Sequence, residues 1–160
     1  REALNVEHGT IERDAGGLQD IAAMAGHGTL MAETVDKVAA LAAQAGPDGR
    51  RPLNDESVAY RLGRSIAKTE AALSSPGSLG RVAIAQTMRD IAPDLMDILG
   101  APSALATGAP GAADDGAAEY LFRLASPTGI YGGTLEVFRN MIAQHMLTLG
   151  RPDYSPPTVS

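Results

Sequence analysis

Cysteine is absent from the 160 residues, which excludes disulfides, thiolate nucleophiles and thiolate metal sites and leaves a reducing, cytoplasmic setting as the expectation. Tryptophan is absent too, and phenylalanine occurs only twice, while alanine and glycine abound. A core without large rings points to helices that approach one another closely. The net charge of −6 argues against the basic face of a nucleic-acid module, since Lys and Arg are scattered rather than clustered. No apolar run is long enough to span a bilayer. Strand signals are also missing: no stretch shows sustained apolar alternation with β-branched residues, so the fold expected is all-α. There is no nucleophile elbow, no His-Glu-x-x-His, no strand-borne GxGxxG and no P-loop.

What is present centres on residues 130–149, IYGGTLEVFRNMIAQHMLTL. Gly132 and Gly133 lack a Cβ, so the backbone can turn sharply and a planar ligand can come close before Thr134 caps the next helix. Leu135, Phe138, Met141, Ile142, Met146 and Leu149 recur at three- and four-residue spacing. That stripe must pack on other helices, leaving Glu136, Arg139, Asn140 and Gln144 outward.

The remaining chain reads as further helices. Residues 1–13 form the first, and by pattern alone its Glu7 is a solvated helix residue. Residues 15–29, with Gly16-Gly17 and Gly26-His27-Gly28, are expected to interrupt that helix. His27 reads as a surface-turn residue, because no second ligand stands at metal spacing. A helix over residues 30–45 buries Leu30, Val35, Val38, Leu41 and Ala42, and Gly46-Pro47-Asp48-Gly49 ends it. Asn54 is expected to cap the next, which runs to Ala72 or Leu73 with Val58, Leu62, Ile66, Thr69 and Leu73 inward. Arg61, Arg64 and Lys68 form a basic stripe, read as a solvated face or, alternatively, as an intersubunit or CoA contact. After a loop over residues 74–78, a helix spans residues 79–99, and Pro93 is expected to kink or break it. Residues 101–116 are a long loop, and a short helix over 117–124 turns Tyr120, Leu121 and Leu124 to the bundle. The tail, residues 153–160, is expected to fray.

Tyr131-Gly132-Gly133-Thr134, Glu136, Arg139-Asn140 and Leu147-Thr148-Leu149-Gly150-Arg151-Pro152 resemble the last helix of acyl-CoA dehydrogenases. The resemblance implies an up-and-down, four-helix-bundle-like C-terminal domain over residues 1–152. It further implies that the chain is the C-terminal piece of a longer enzyme whose other domains complete the site, so that this piece by itself would be inactive. In that family the glycine turn lies beside the flavin of FAD, which makes Tyr131, Gly132, Gly133, Thr134 and Glu136 the cofactor-side residues. Gly100, in Asp97-Ile98-Leu99-Gly100-Ala101-Pro102, keeps one glycine of the family's Gln-x-x-Gly-Gly-x-Gly motif near the adenine end of FAD. Arg123 stands where the family often has an arginine before the final turn, and its expected role is to brace that turn.

The resemblance also supplies a catalytic base. Most of these enzymes use the Glu of Tyr-Glu-Gly-Thr, where this chain has Gly132. A minority carry it on an earlier Leu-x-x-Glu-Arg helix, which Leu4-Asn5-Val6-Glu7-His8 resembles. Glu7 is thus implied as the base, and His8 as a substrate-side residue on the CoA side. The implied reaction turns an acyl-CoA thioester into the trans-2-enoyl-CoA, with electron-transfer flavoprotein or a similar acceptor downstream and a homo- or hetero-oligomer as the working form. Two other readings stay open: a non-catalytic partner subunit of a heteromeric acyl-CoA dehydrogenase, and a cofactor-free helical interaction module.

Overall fold

The computed structural model describes residues 15–150, with side chains from residue 26 onward. Glu7, His8 and the tail from residue 151 lie outside the described residues. Among these residues there are five α-helices and no strand: α1 (Ala15–Ala42), α2 (Glu56–Leu73), α3 (Gly77–Leu99), α4 (Ala117–Ala125) and α5 (Leu135–Met141). The all-α bundle expected from the sequence is the architecture observed.

Helix α3 is the central element, packing against all four of the others. Its buried row, Ile84, Met88, Ile91, Leu95 and Ile98, recurs every three or four residues and meets Met31, Val35 and Val38 of α1 and Leu121 of α4. Small residues let the helices approach. A Cβ on Gly28 of α1 would lie 2.9 Å from Leu73 Cδ2 and 3.2 Å from Ile84 Cδ1, so α1, α2 and α3 meet at a bare backbone. No helix among the described residues is long and apolar enough to cross a membrane.

Several local expectations change. Residues 15–29 do not interrupt a helix; they belong to α1, glycines included. Gly26 and Gly28 lower helix propensity, but packing on α2 and α3 outweighs about 1 kcal/mol per glycine. The cap of α2 is Asp55 rather than Asn54: its carboxylate accepts from the backbone N–H of Ser57 and Val58, at 2.8 and 3.1 Å. The buried row of α2 is Leu62, Ser65, Thr69 and Ala72, whereas Ile66 and Leu73 are partly exposed. Ser65 satisfies its hydroxyl on the carbonyl of Arg61, 2.9 Å away, so a small polar residue can sit where the helices are closest.

Helix α3 runs through Pro93 without a break. Proline removes one N–H, and burial of Ile91, Ala92 and Leu95 around it keeps the helix continuous. Residues 101–116 contain two 3₁₀ turns, Ala101–Ala104 and Ala113–Gly116, and are tied down by Gly108 N–H donating to Asp115 at 2.7 Å and by a 3.0 Å Lys37–Asp114 ion pair. On α4, Ala118, Leu121 and Ala125 face inward while Tyr120 is exposed.

The last helix is shorter than its apolar stripe suggests. After Met141 the backbone widens into a π-helical turn, Ile142–Met146. That turn adds a residue to the repeat, so Leu135, Phe138 and Ile142 stay buried while Met146 and Leu149 rotate outward.

Candidate functional site

The glycine turn sits between a 3₁₀ turn, Pro127–Gly129, and the start of α5. Gly132 has φ +69° and Gly133 φ +125°, the left-handed region that side chains with a Cβ avoid. A Cβ on Gly133 would also meet the Phe138 ring at 3.2 Å. Two glycines are therefore a backbone requirement here. Thr134 caps α5 as expected, its hydroxyl accepting from Val137 N–H at 3.4 Å. Glu136, in the first turn of α5, is exposed and 3.2 Å from Arg139. Its carboxyl is held below the usual range, first by its backbone hydrogen bond and then by Thr134 and the nearby arginines.

The turn is held from beneath by Arg81. This residue of α3 is only 1% exposed, and its Nη2 donates to the Tyr131 carbonyl at 2.9 Å. Its guanidinium carbon lies 4.8 Å from the centroid of the Phe138 ring and 5.7 Å from that of Tyr131. Arg and aromatic faces attract at these distances, and the attraction strengthens out of water. Arg123, the arginine expected to brace the turn, does something else. It is exposed and forms a two-point ion pair with Glu119, at 2.8 and 3.0 Å, which raises its pKa. Although it precedes the turn in sequence, it lies on the outer face of α4, because Ala118, Leu121 and Ala125 take the face that packs on the bundle.

A second tether comes from α1. The Tyr131 hydroxyl lies 2.8 Å from Nδ1 and 3.1 Å from Nε2 of His27, and the two rings meet edge-on. His27 is half-buried in a helix, not on a surface turn. Burial, and secondly the Arg81 charge, push its pKa below the ordinary value, which favours the neutral ring able to accept from the Tyr131 O–H.

The structure therefore gathers Tyr131, Gly132, Gly133, Thr134 and Glu136 in one place and adds Arg81, His27 and Phe138 to them. Gly100 stands apart, at the far end of α3 from Arg81, about 28 Å along the axis at 1.5 Å per residue. Beside the turn, a cleft of about 310 Å³ is lined by Gln86, Arg89, Asp90, Leu135, Glu136 and Arg139, with Arg139 donating to Gln86 at 2.6 Å. The exposed faces of Ile130 and Val137 flank the glycines. A bare backbone corner with apolar shoulders suits the flat face of a ring system.

The basic stripe of α2 is not simply solvated. Arg61, Arg64 and Lys68 pair with Asp97, Asp94 and Asp90 of α3 at 3.3, 2.8 and 2.6 Å. The acidic residues recur at the same helical spacing in reverse order, as two antiparallel helices require. That reversed match of charge was the available signal.

Residues 74–147 match the family model described as acyl-CoA dehydrogenase, C-terminal domain. No curated protein matches the chain in sequence. Among solved structures, the chain is similar to the ChsE4–ChsE5 complex from Mycobacterium tuberculosis, with 25% identity and a TM-score of 0.69 over 79% of this chain and 36% of that one. It is also similar to a glycine-to-alanine variant of the Tcur3481–Tcur3483 steroid ACAD, with 27% identity and a TM-score of 0.67 over 81% of this chain and 37% of that one. The chain thus spans little more than a third of the length of either.

Proposed function

The chain belongs to the acyl-CoA dehydrogenase family as its C-terminal helical domain, and from that premise we propose that it works in an FAD-dependent enzyme oxidising an acyl-CoA thioester to the trans-2-enoyl-CoA. The observation that carries this reading is the glycine turn itself: a bare, outward-facing corner at Gly132, clamped by a buried arginine, inside the segment that matches the family. Tyr131, Gly132, Gly133, Thr134 and Glu136 would line the flavin, and Gly100, at the other end of α3, would serve the adenine end. FAD, when bound, supplies the acceptor for the substrate's β-hydrogen and its electron pair.

This chain's own residues do the rest. Glu7 takes the α-proton of the thioester, and it must be partly desolvated to be basic enough for a weak carbon acid. His8 lies one residue on and would face the CoA side. The turn carries no carboxylate that could compete with Glu7 for that proton, because Gly132 stands where most family members have one. The clamp on Tyr131 keeps the corner in one geometry, so no reorganisation is needed when ligand arrives. In the full-length protein, Glu7→Gln should abolish substrate-driven flavin bleaching while FAD stays bound; normal bleaching would remove Glu7 from this role.

A second reading is favoured by a specific finding: both solved relatives are assemblies of two differently named chains. In it, the chain is one subunit of a heteromeric enzyme, and electron-transfer flavoprotein or a similar acceptor takes the electrons from the assembly. Expression of the full-length chain alone separates the two. A yellow, active homo-oligomer supports the self-sufficient enzyme, whereas a colourless or insoluble product that becomes yellow with a second subunit supports the heteromer.

A further inference from the structure

Tyr131 is gripped at both of its ends by residues from two other helices. Its backbone carbonyl accepts from Arg81 of α3 at 2.9 Å, and its hydroxyl reaches His27 of α1 at 2.8 Å. Arg81 and His27 lie 50 and 104 positions from Tyr131 in sequence, so neither contact arises from local structure. The tyrosine side chain carries a hydrogen-bonding hydroxyl at the far end of a rigid ring. Its ring can therefore act as a strut from the corner of the turn to the flank of α1.

The strut adds to sparse local hydrogen bonding. Ile130 and Tyr131 N–H share the Pro127 carbonyl, at 3.0 and 3.2 Å, and Gly133 N–H reaches the Ile130 carbonyl only at 3.3 Å. Glycines at 132 and 133 leave the backbone at its most mobile just where it must hold a shape. The α5 helix that follows is short, and its continuation loosens into a π turn. Rigidity at this corner thus has to come from outside it.

We propose that His27 is a positioning residue for the glycine turn: together with Arg81 it fixes Tyr131 at both ends, and so couples the orientation of α1 to that of the backbone corner at Gly132. This rests on the reading that the corner lies against a bound flavin. The strut would thereby hold α1 in register with the corner against which the flavin, as hydrogen acceptor, would rest. Neutral imidazole suits the task, because it offers the Tyr131 hydroxyl an acceptor without placing a second cation beside Arg81.

The test uses the full-length protein and its natural assembly, with hydrogen exchange of the amides at residues 130–134 as the primary readout. Tyr131→Phe keeps the ring and removes the hydroxyl; His27→Ala removes the partner. Each should speed exchange at the turn by about tenfold, the effect of losing one hydrogen bond, while amides of α2 stay unchanged. His27→Gln, which can still hydrogen-bond, should restore most of the protection. Unaltered exchange in both Tyr131→Phe and His27→Ala, or equal loosening throughout the bundle, would overturn the strut. The flavin provides a second readout. In the loaded enzyme the two variants should lower kcat more than they raise KM and should alter the flavin absorption band, with His27→Gln again intermediate. If the strut variants loosen the turn but the wild-type protein takes up no FAD, the inference about the tether stands and the flavin reading falls.

Discussion

Two regions of this bundle use arginine in opposite ways. On the outer face of α2 and α3, Arg61, Arg64 and Lys68 meet Asp97, Asp94 and Asp90 in a ladder open to water on one side. Under the glycine turn, Arg81 is buried and serves a backbone carbonyl and two aromatic rings. The ladder sets the register of two helices at little energetic consequence, because each exposed pair is worth only about 0.2–1 kcal/mol. The clamp is different in kind. A buried guanidinium has lost its hydration, and its contacts to the carbonyl and the rings must offset that cost.

The contrast can be broken most sharply at Arg81. Arg81→Met keeps the aliphatic stem but strands the Tyr131 carbonyl, and should destabilise the protein by about 2–4 kcal/mol in urea unfolding. The ladder should respond far less. A double-mutant cycle on Arg64 and Asp94, using Arg64→Gln and Asp94→Asn, should return a coupling of about 0.5–1 kcal/mol that shrinks in 1 M salt. Coupling as large as the Arg81 effect would erase the distinction. The smallest effect is a pH slope. His27 has a folded pKa below its ordinary 6.5, so the folded chain holds fewer protons on it than the unfolded chain. Its contribution is complete above about pH 6.5 and is lost as pH falls through that value toward the lower folded one. Unfolding followed between about pH 5 and about pH 7.5 should show this slope in the wild type and lose it in His27→Gln, apart from a constant offset for the altered hydrogen bond.

Local chemistry made much of the molecule legible in advance. Val35, Val38 and Ala42 of α1 and the cap at Thr134 follow from side-chain type and a repeat of 3.6 residues and appear as expected, whereas Leu30 and Leu41 are only partly buried and Met31 joins the core. The need for glycine at positions 132 and 133 also appears as expected. Expectations failed where two elements competed for the same residue. Ile66 and Leu73 looked like core on hydrophobicity, yet Ser65 and Ala72 are the buried residues beside Leu62 and Thr69, because the rotation of α2 about its axis turns that row inward. Met146 and Leu149 continued a stripe in sequence, but the π turn moved them off it. His27 was framed by glycines that suggest a turn, and helix packing at Gly28 made it helical instead.

The sequence by itself determined the class of fold, the placing of most helices and the bare corner at Gly132 and Gly133, because each of these depends on contacts between residues a few positions apart. Only the tertiary structure decided which arginine lies under that corner. Arg123 is near it in the chain and Arg81 is 50 residues away, yet the rotation of α3 about its axis turns Arg81 into the bundle while α4 turns Arg123 to water. Helix rotation is set by the packing of whole faces, and no short stretch of sequence carries that information.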